Sequence, residues 1–282
     1  MVSATRERKR LNTFGEDDYI GTWDCIYFGN YPQSDITGAE TEPIKWRVLS
    51  VDGDDAFLLA DRSLDCQPYY TEWAEVTWET SALRAWLNDD FYNNAFSSNE
   101  QSAIMTTTVI NEDHPKFGTD SGNNTQDKVF LLSISESLNE EYGFPNDPSV
   151  RSATRWSKNT AYTAERGAYS YFSNDETYIG NGRGYWWLRS PGINGFLASY
   201  VIHYGDINQT GSNVNAYDFS GIRPAIHLDL SSSSWIYAGT VCSDGTVCDY
   251  DPGTGDDSGG SRSGVTPGGE ETAPGASYGE DN

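Results

Sequence analysis

The sequence predicts an α+β domain with two short helices, small antiparallel sheets and long irregular loops. Three observations carry that expectation. Short apolar runs are punctuated by Gly, Asn and Asp turn residues. A sustained helical period of apolar residues occurs only in the first part of the chain. Residues 111–127, 151–184 and 193–220 mix polar and aromatic residues in no clear period.

Each element follows in order. Residues 1–20 read as a polar, charged lead-in. Cys25-Ile26-Tyr27-Phe28 predicts a short strand, closed by a turn at Gly29-Asn30-Tyr31-Pro32-Gln33. Lys45–Ser50 and Ala56–Ala60 flank Asp52-Gly53, a dipeptide that sets hairpin register. A helix fits residues 78–91, with Thr77 as N-cap and Leu83, Trp86, Leu87 and Phe91 on one apolar face. Ser97 and Glu100 have capping-box spacing and predict a second helix through Ile104. Residues 111–127 read as a loop, and Val129-Phe130-Leu131-Leu132 as a buried strand. One helical turn is expected near Thr163–Glu165. A terminal hairpin is expected over residues 231–250, and residues 251–282, rich in Gly, Pro, Ser and acids, read as a disordered tail.

The 282 residues carry a formal charge of -24. Residues 249–282 account for a net -7 and residues 1–10 for +3, which leaves -20 on residues 11–248. An acidic folded part repels phosphate backbones and anionic headgroups, so neither nucleic acid nor direct membrane insertion is expected. No Sec-type signal and no membrane-spanning apolar run is visible, and cellular location stays open. Cys25 and Cys66 read as ordinary thiols, half-buried. Cys242 and Cys248 flank an Asp-Gly turn and fit a disulfide in an oxidising compartment or two free thiols elsewhere. The three histidines are scattered and no CxxC occurs, so no metal and no cofactor is expected.

The densest information lies between Tyr185 and Leu230. Trp186, Trp187 and Leu188 read as core, and Arg189 and Arg223 as structural partners of acids or loop carbonyls. Gly192, Gly205, Gly211 and Gly221 are expected in turns with positive φ. Ala198–Val201 reads as a framework strand. The remainder forms a candidate recognition face: Ile193, Asn194, Phe196, Leu197, Ile202, His203, Tyr204, Asp206, Asn208, Asn213, Asn215, Tyr217, Asp218 and Phe219. Phe196, His203, Tyr204, Tyr217 and Phe219 are expected to be exposed, because their neighbours are Asn, Asp, Gly and Ser. No GxSxG, HExxH, P-loop or GxGxxG is present. Acidic pairs such as Glu72/Glu75 and Asp89/Asp90 read as solvated surface in a chain with 42 acids. Binding is expected rather than catalysis.

Five phrases in order, Ile26–Gln33, Lys45–Leu49, Ala82–Asn88, Trp186–Gly192 and Gly221–Ala225, resemble a large bacterial family of C-type-lectin-like domains, in the branch that contains formylglycine-generating enzymes. The resemblance covers residues 20–230 and implies that fold. Formylglycine-generating relatives use cysteines late in the domain, whereas residues 67–241 hold none, so that activity is not implied here. Some members resemble variable proteins of diversity-generating retroelements, in which template adenines are copied with errors into the target gene. An AAC codon so diversified cannot yield Lys, Glu, Met, Trp or Gln, and residues 193–220 contain only Gln209 of these five. The resemblance implies a protein or glycan ligand on a cell or phage surface, bound through residues 193–220. A fixed carbohydrate- or cell-wall-binding module of the same fold is the alternative. Oligomeric state is not implied.

Overall fold

The computed structural model describes residues 9–10, 19–176, 180–216 and 219–243. The fold is mixed α+β, dominated by small, mostly antiparallel sheets with few short helices.

The first five-stranded sheet uses β1 (Thr22–Tyr31), β2 (Glu42–Asp52) and β3 (Asp55–Ala60). A second sheet begins with β4 (Asp65–Cys66) and continues with β5 (Trp186–Pro191), β6 (Leu197–Val201), β7 (Ile207–Asn213) and β8 (Gly221–Ile222). The chain then returns to the first sheet through β9 (Ala225–Asp229) and β10 (Ile236–Cys242). The first sheet has the order β9-β3-β2-β1-β10, antiparallel throughout, and the second the order β7-β6-β5-β8-β4, with only β5 and β8 parallel. Lys9–Arg10 and Tyr19–Ile20 pair as a small ladder in the charged lead-in.

The Asp52-Gly53 hairpin forms as the sequence predicts. Asp52 pairs with Asp55, and Gly53 takes φ +60°, the left-handed conformation such a two-residue turn needs. Strand β5 is buried at every position, Trp186 and Trp187 included, which confirms the core reading of the Trp-Trp-Leu phrase. Arg189 is structural as expected. It forms a bidentate pair with Glu136 and donates to the carbonyls of Leu131 (2.7 Å) and Ile110 (3.0 Å).

Several local expectations are corrected. The first helix starts at Ala82, not residue 78, and its cap is Ser81, whose Oγ accepts from Arg84 N at 3.1 Å. Trp78 is drawn instead into the core, where its Nε1 donates to Asp127 at 2.9 Å, so residues 77–80 form a turn and Thr77 caps nothing. From α1 (Ala82–Trp86) the chain runs through a π-turn (Leu87–Phe91) into α2 (Tyr92–Ala95), past the expected end. The α3 helix (Ser98–Ala103) has the predicted capping box between Ser97 and Glu100. Residues 129–132 are buried but make only one bridge, Phe130 to Ala225, because the Asn88 side chain takes the Lys128 and Val129 amides and the Val129 carbonyl. A further capping box, Ser133 with Glu136, starts the unpredicted α4 (Ile134–Ser137). The expected turn near residue 163 is α5 (Ala161–Glu165).

The 111–127 loop is pinned by His114, whose Nε2 meets the Gln209 carbonyl at 3.0 Å while Nδ1 accepts from Lys116 and Phe117. Its far end forms a strand, Thr125–Asp127, paired with Thr107–Val109. Cys25 and Cys66 are buried rather than half-buried. Cys242 is disulfide-bonded. Cys248, the far side of the predicted 231–250 hairpin and the 251–282 tail lie outside the described residues. Among the described residues no helix is long and apolar enough to cross a membrane.

Candidate functional site

The candidate face is organised by the β6–β7 hairpin. Its ladder runs from Leu197 opposite Asn213 to Val201 opposite Ile207. The five residues of β6 therefore separate two groups of side chains by roughly 13 Å at 3.3 Å per residue.

At the turn end, the Ile202 amide donates to Asp206 O at 2.8 Å and Gly205 N to Ile202 O at 2.7 Å. Gly205 has φ +89°, and a Cβ there would lie 2.0 Å from the Ser152 carbonyl oxygen, so only glycine fits. The turn is fastened from outside as well. Trp156 Nε1 donates to Tyr204 O (3.0 Å), Ile207 N to Pro148 O (2.8 Å) and Arg155 Nε to Gly205 O (2.6 Å). Arg155 is fully buried and also donates to the carbonyls of Ser137, Pro145, Asp147 and Val150. Burial lowers its pKa to about 10, with Asp206 and Asp147 opposing the shift. One guanidinium thus gathers the C-terminal end of α4, the 145–150 loop and the β6–β7 turn, whose carbonyls no ladder satisfies.

This clamp corrects the expectation for His203. The ring is 8% exposed, enclosed by Tyr204 (4.0 Å between centroids), Tyr171 (4.9 Å), Tyr169 (5.4 Å) and Tyr185 (5.4 Å). Both of its nitrogens lack a partner among the described residues. Burial, then the positive charges of Arg183 and Arg151, pull its pKa down to about 4 against Asp206, so the ring is neutral at neutral pH. The rings continue without a gap: Tyr185 contacts Phe219 (5.0 Å) and Tyr200 (5.6 Å), and Phe219 contacts Tyr200 (4.9 Å) and Trp187 (5.7 Å). Phe219, expected to be exposed, is half-buried because Trp187 and Tyr200 of the framework receive it. Tyr204 is half-buried too, with the Arg151 guanidinium over its ring at 4.5 Å. Tyr169 keeps an exposed edge. Ile202 and Asp206 flank the turn, half-buried, and one Asp206 oxygen is enclosed without a hydrogen bond among the described residues.

The other end is open. Ile193 and Asn194 are exposed, and the Asn194 carboxamide is used locally, accepting from Phe196 N at 3.0 Å. Phe196 is half-buried rather than exposed because it stacks on Trp73 at 5.0 Å and 26°. Trp73 itself is 55% exposed, and the Val76 amide donates to Gly195 O at 2.9 Å, tying the two segments together. Leu197 is half-buried and Asn213 exposed. Between the two ends, Asn208 spends its side chain on the scaffold, donating to Tyr200 Oη (2.9 Å) and accepting from Gly211 N (3.1 Å). Asn215 is half-buried, and Tyr217 and Asp218 lie outside the described residues. Gly205 and Gly211 take positive φ as expected. Gly192 and Gly221 do not; there the hydrogen side chain admits the Thr210 carbonyl and Ser63 at close range.

With this geometry in view, comparison with known families gives one match. Residues 53–230 match the family described as Domain of unknown function (DUF6273). The chain belongs to that family. Its matched stretch begins at the β2–β3 turn and takes in both ends of the aromatic face, while β1 and β10 lie outside it. No curated protein and no solved structure matches the chain. Among the described residues, no group of three or more His, Cys, Asp or Glu side chains is placed to hold a metal ion.

The sequence reading missed Arg155, Tyr169, Tyr171 and Trp73. A single Arg among small and aromatic residues of an irregular stretch (Ser152-Ala153-Thr154-Arg155-Trp156) was the available signal for the first. The aromatic members belong to segments far away in sequence, and nothing local marks them as neighbours of residues 193–220.

Proposed function

We propose that this protein is a binding protein, not an enzyme, of C-type-lectin-like fold, and that it engages a protein or glycan on a cell or phage surface through the β6–β7 face. The continuous ring cluster from Tyr169 to Phe219, with open edges and flanked by the exposed Trp73, carries this reading. Rigid aromatic rings offer large contact area at low entropic cost, and they stack equally well on sugar faces and peptide side chains. The acidic folded part disfavours nucleic acid and anionic membranes as partners.

Within this reading, a diversified protein of a retroelement is supported by the exposed positions Ile193, Asn194 and Asn213, which change without touching the core. The near absence of Lys, Glu, Met, Trp and Gln from residues 193–220 supports it further. A fixed carbohydrate- or cell-wall-binding module is favoured by a different observation: His203 is caged so closely that exchange there disturbs four tyrosines.

The binding test screens the full chain against glycan and cell-surface protein arrays, with Tyr169→Ala and Trp73→Ala as controls. A ligand lost at least tenfold in affinity by either variant is the expected result; retention of every ligand by both removes the face from consideration. The gene neighbourhood separates the two versions. A near-copy of the DNA for residues 186–225, differing only at template adenines and beside a reverse-transcriptase frame, is expected for the diversified protein, and its absence leaves the fixed module.

A further inference from the structure

The Gly221–Ala225 phrase has a role that the aromatic face does not use. Arg223, just ahead of β9, donates Nε to the Ala60 carbonyl at 2.7 Å. Arg47, opposite Cys25 in the β1–β2 ladder, donates Nε to Asp61 Oδ1 at 2.6 Å. Two guanidinium groups therefore meet at the adjoining residues Ala60 and Asp61. Each lies over an indole, Arg47 over Trp23 at 4.7 Å and Arg223 over Trp186 at 5.2 Å. Arg47 is 3% exposed and Arg223 0%.

The charges in this enclosure do not balance. Burial alone would raise the Asp61 carboxyl, but Arg47, Arg223 and Arg62 outweigh it and hold the group below the usual carboxylate range, so it is ionised. Burial, reinforced by Asp61, pushes the Cys25 thiol up to about 12, so it is neutral. Two positive groups thus face one negative group. The hydrogen bonds do not balance either: Arg47 Nη1 and Arg223 Nη1 and Nη2 are buried without a partner among the described residues. An unmet buried donor is costly, and an uncompensated buried charge costs more. Such orphans in a native fold call for a bound water or ion.

We propose that Arg47 and Arg223 together bind a small monovalent anion, chloride in ordinary buffers. An anion supplies both the missing negative charge and an acceptor for the orphaned donors, whereas water supplies only the acceptor. The enclosing indoles and the Cys25 thiol are uncharged and leave the excess positive charge in place. Asp61 also lines a surface groove of about 500 Å³, in which Lys45 and Arg62 balance Glu42 and Asp61. Position in the fold gives the site a purpose: it joins β2 and β3 to the segment that enters β9, so occupancy couples the anion to the integrity of the first sheet.

Thermal unfolding of the full chain in sodium chloride and in sodium gluconate at equal ionic strength tests this. The expected result is a higher Tm in chloride that climbs roughly 3–5 °C per tenfold increase above the dissociation constant. Crystals grown in sodium bromide should show an anomalous peak between the two guanidinium groups. Arg223→Met removes two orphaned donors, the Nε bond to Ala60 and the excess charge, and should abolish the chloride dependence. Equal Tm in the two salts, or no bromide peak in the native chain, overturns the proposal and leaves ordered water on the donors. The bromide experiment decides even if the variant fails to fold.

Discussion

The two ends of the β6–β7 hairpin are built on opposite terms. At the turn end, Ile202–Asp206 is locked by Arg155, Trp156 and Gly205, and His203 sits inside a cage of four tyrosines. At the other end, Ile193 and Asn194 project outward and Phe196 leans on a single half-exposed indole, Trp73. Polar, glycine-rich sequence of the same kind thus yields a rigid wall at one end and a substitutable rim at the other. The difference lies in what arrives from elsewhere. Residues 145–156 and 169–171 cover the turn, whereas the rim receives the shorter stretch 70–76.

Removing the clamp has the largest expected effect. Arg155→Met orphans five carbonyls at once and should cost on the order of 4 kcal/mol, read as a lower urea midpoint. A loss below about 1 kcal/mol would mean that the turn holds itself. A smaller effect is expected from pH. His203 titrates at about 4 in the folded chain against roughly 6.5 when unfolded, so the unfolded chain takes the proton first. Its contribution is complete above pH ~6.5 and is lost as the pH falls toward 4, by about 1–2 kcal/mol once solvent screening is allowed for. His203→Phe should flatten the stability profile in that window, and an unchanged profile would show that the ring is not caged in solution. The smallest effect belongs to the rim. Trp73→Ala and Phe196→Ala should each cost about 1 kcal/mol or less in stability, because a half-exposed pair has little burial to lose.

The legible parts of this molecule were those whose signal is short. Asp52-Gly53 specifies its own turn, and Ser97 with Glu100 writes out a capping box. The same spacing at Ser133 and Glu136 is equally explicit, though the apolar run before it draws the reading toward a strand. Thr77 failed as a cap because Trp78 gains more from burial beside Asp127 than from a place in a helix. Asn208 looked like a contact residue and is instead a brace, since its two hydrogen bonds go to Tyr200 and Gly211.

The sequence by itself determined the α+β class, the central hairpin, the buried Trp-Trp-Leu strand and the structural use of Arg189 and Arg223. These follow from periodicity, turn chemistry and the cost of exposing large apolar side chains, all of which act over a few residues. Tertiary structure alone decided that His203 is enclosed, that Trp73 joins the face, and that Arg47 and Arg223 share one enclosure. Burial and pairing depend on which distant segments converge, and that convergence is a property of the whole packed chain rather than of any stretch within it.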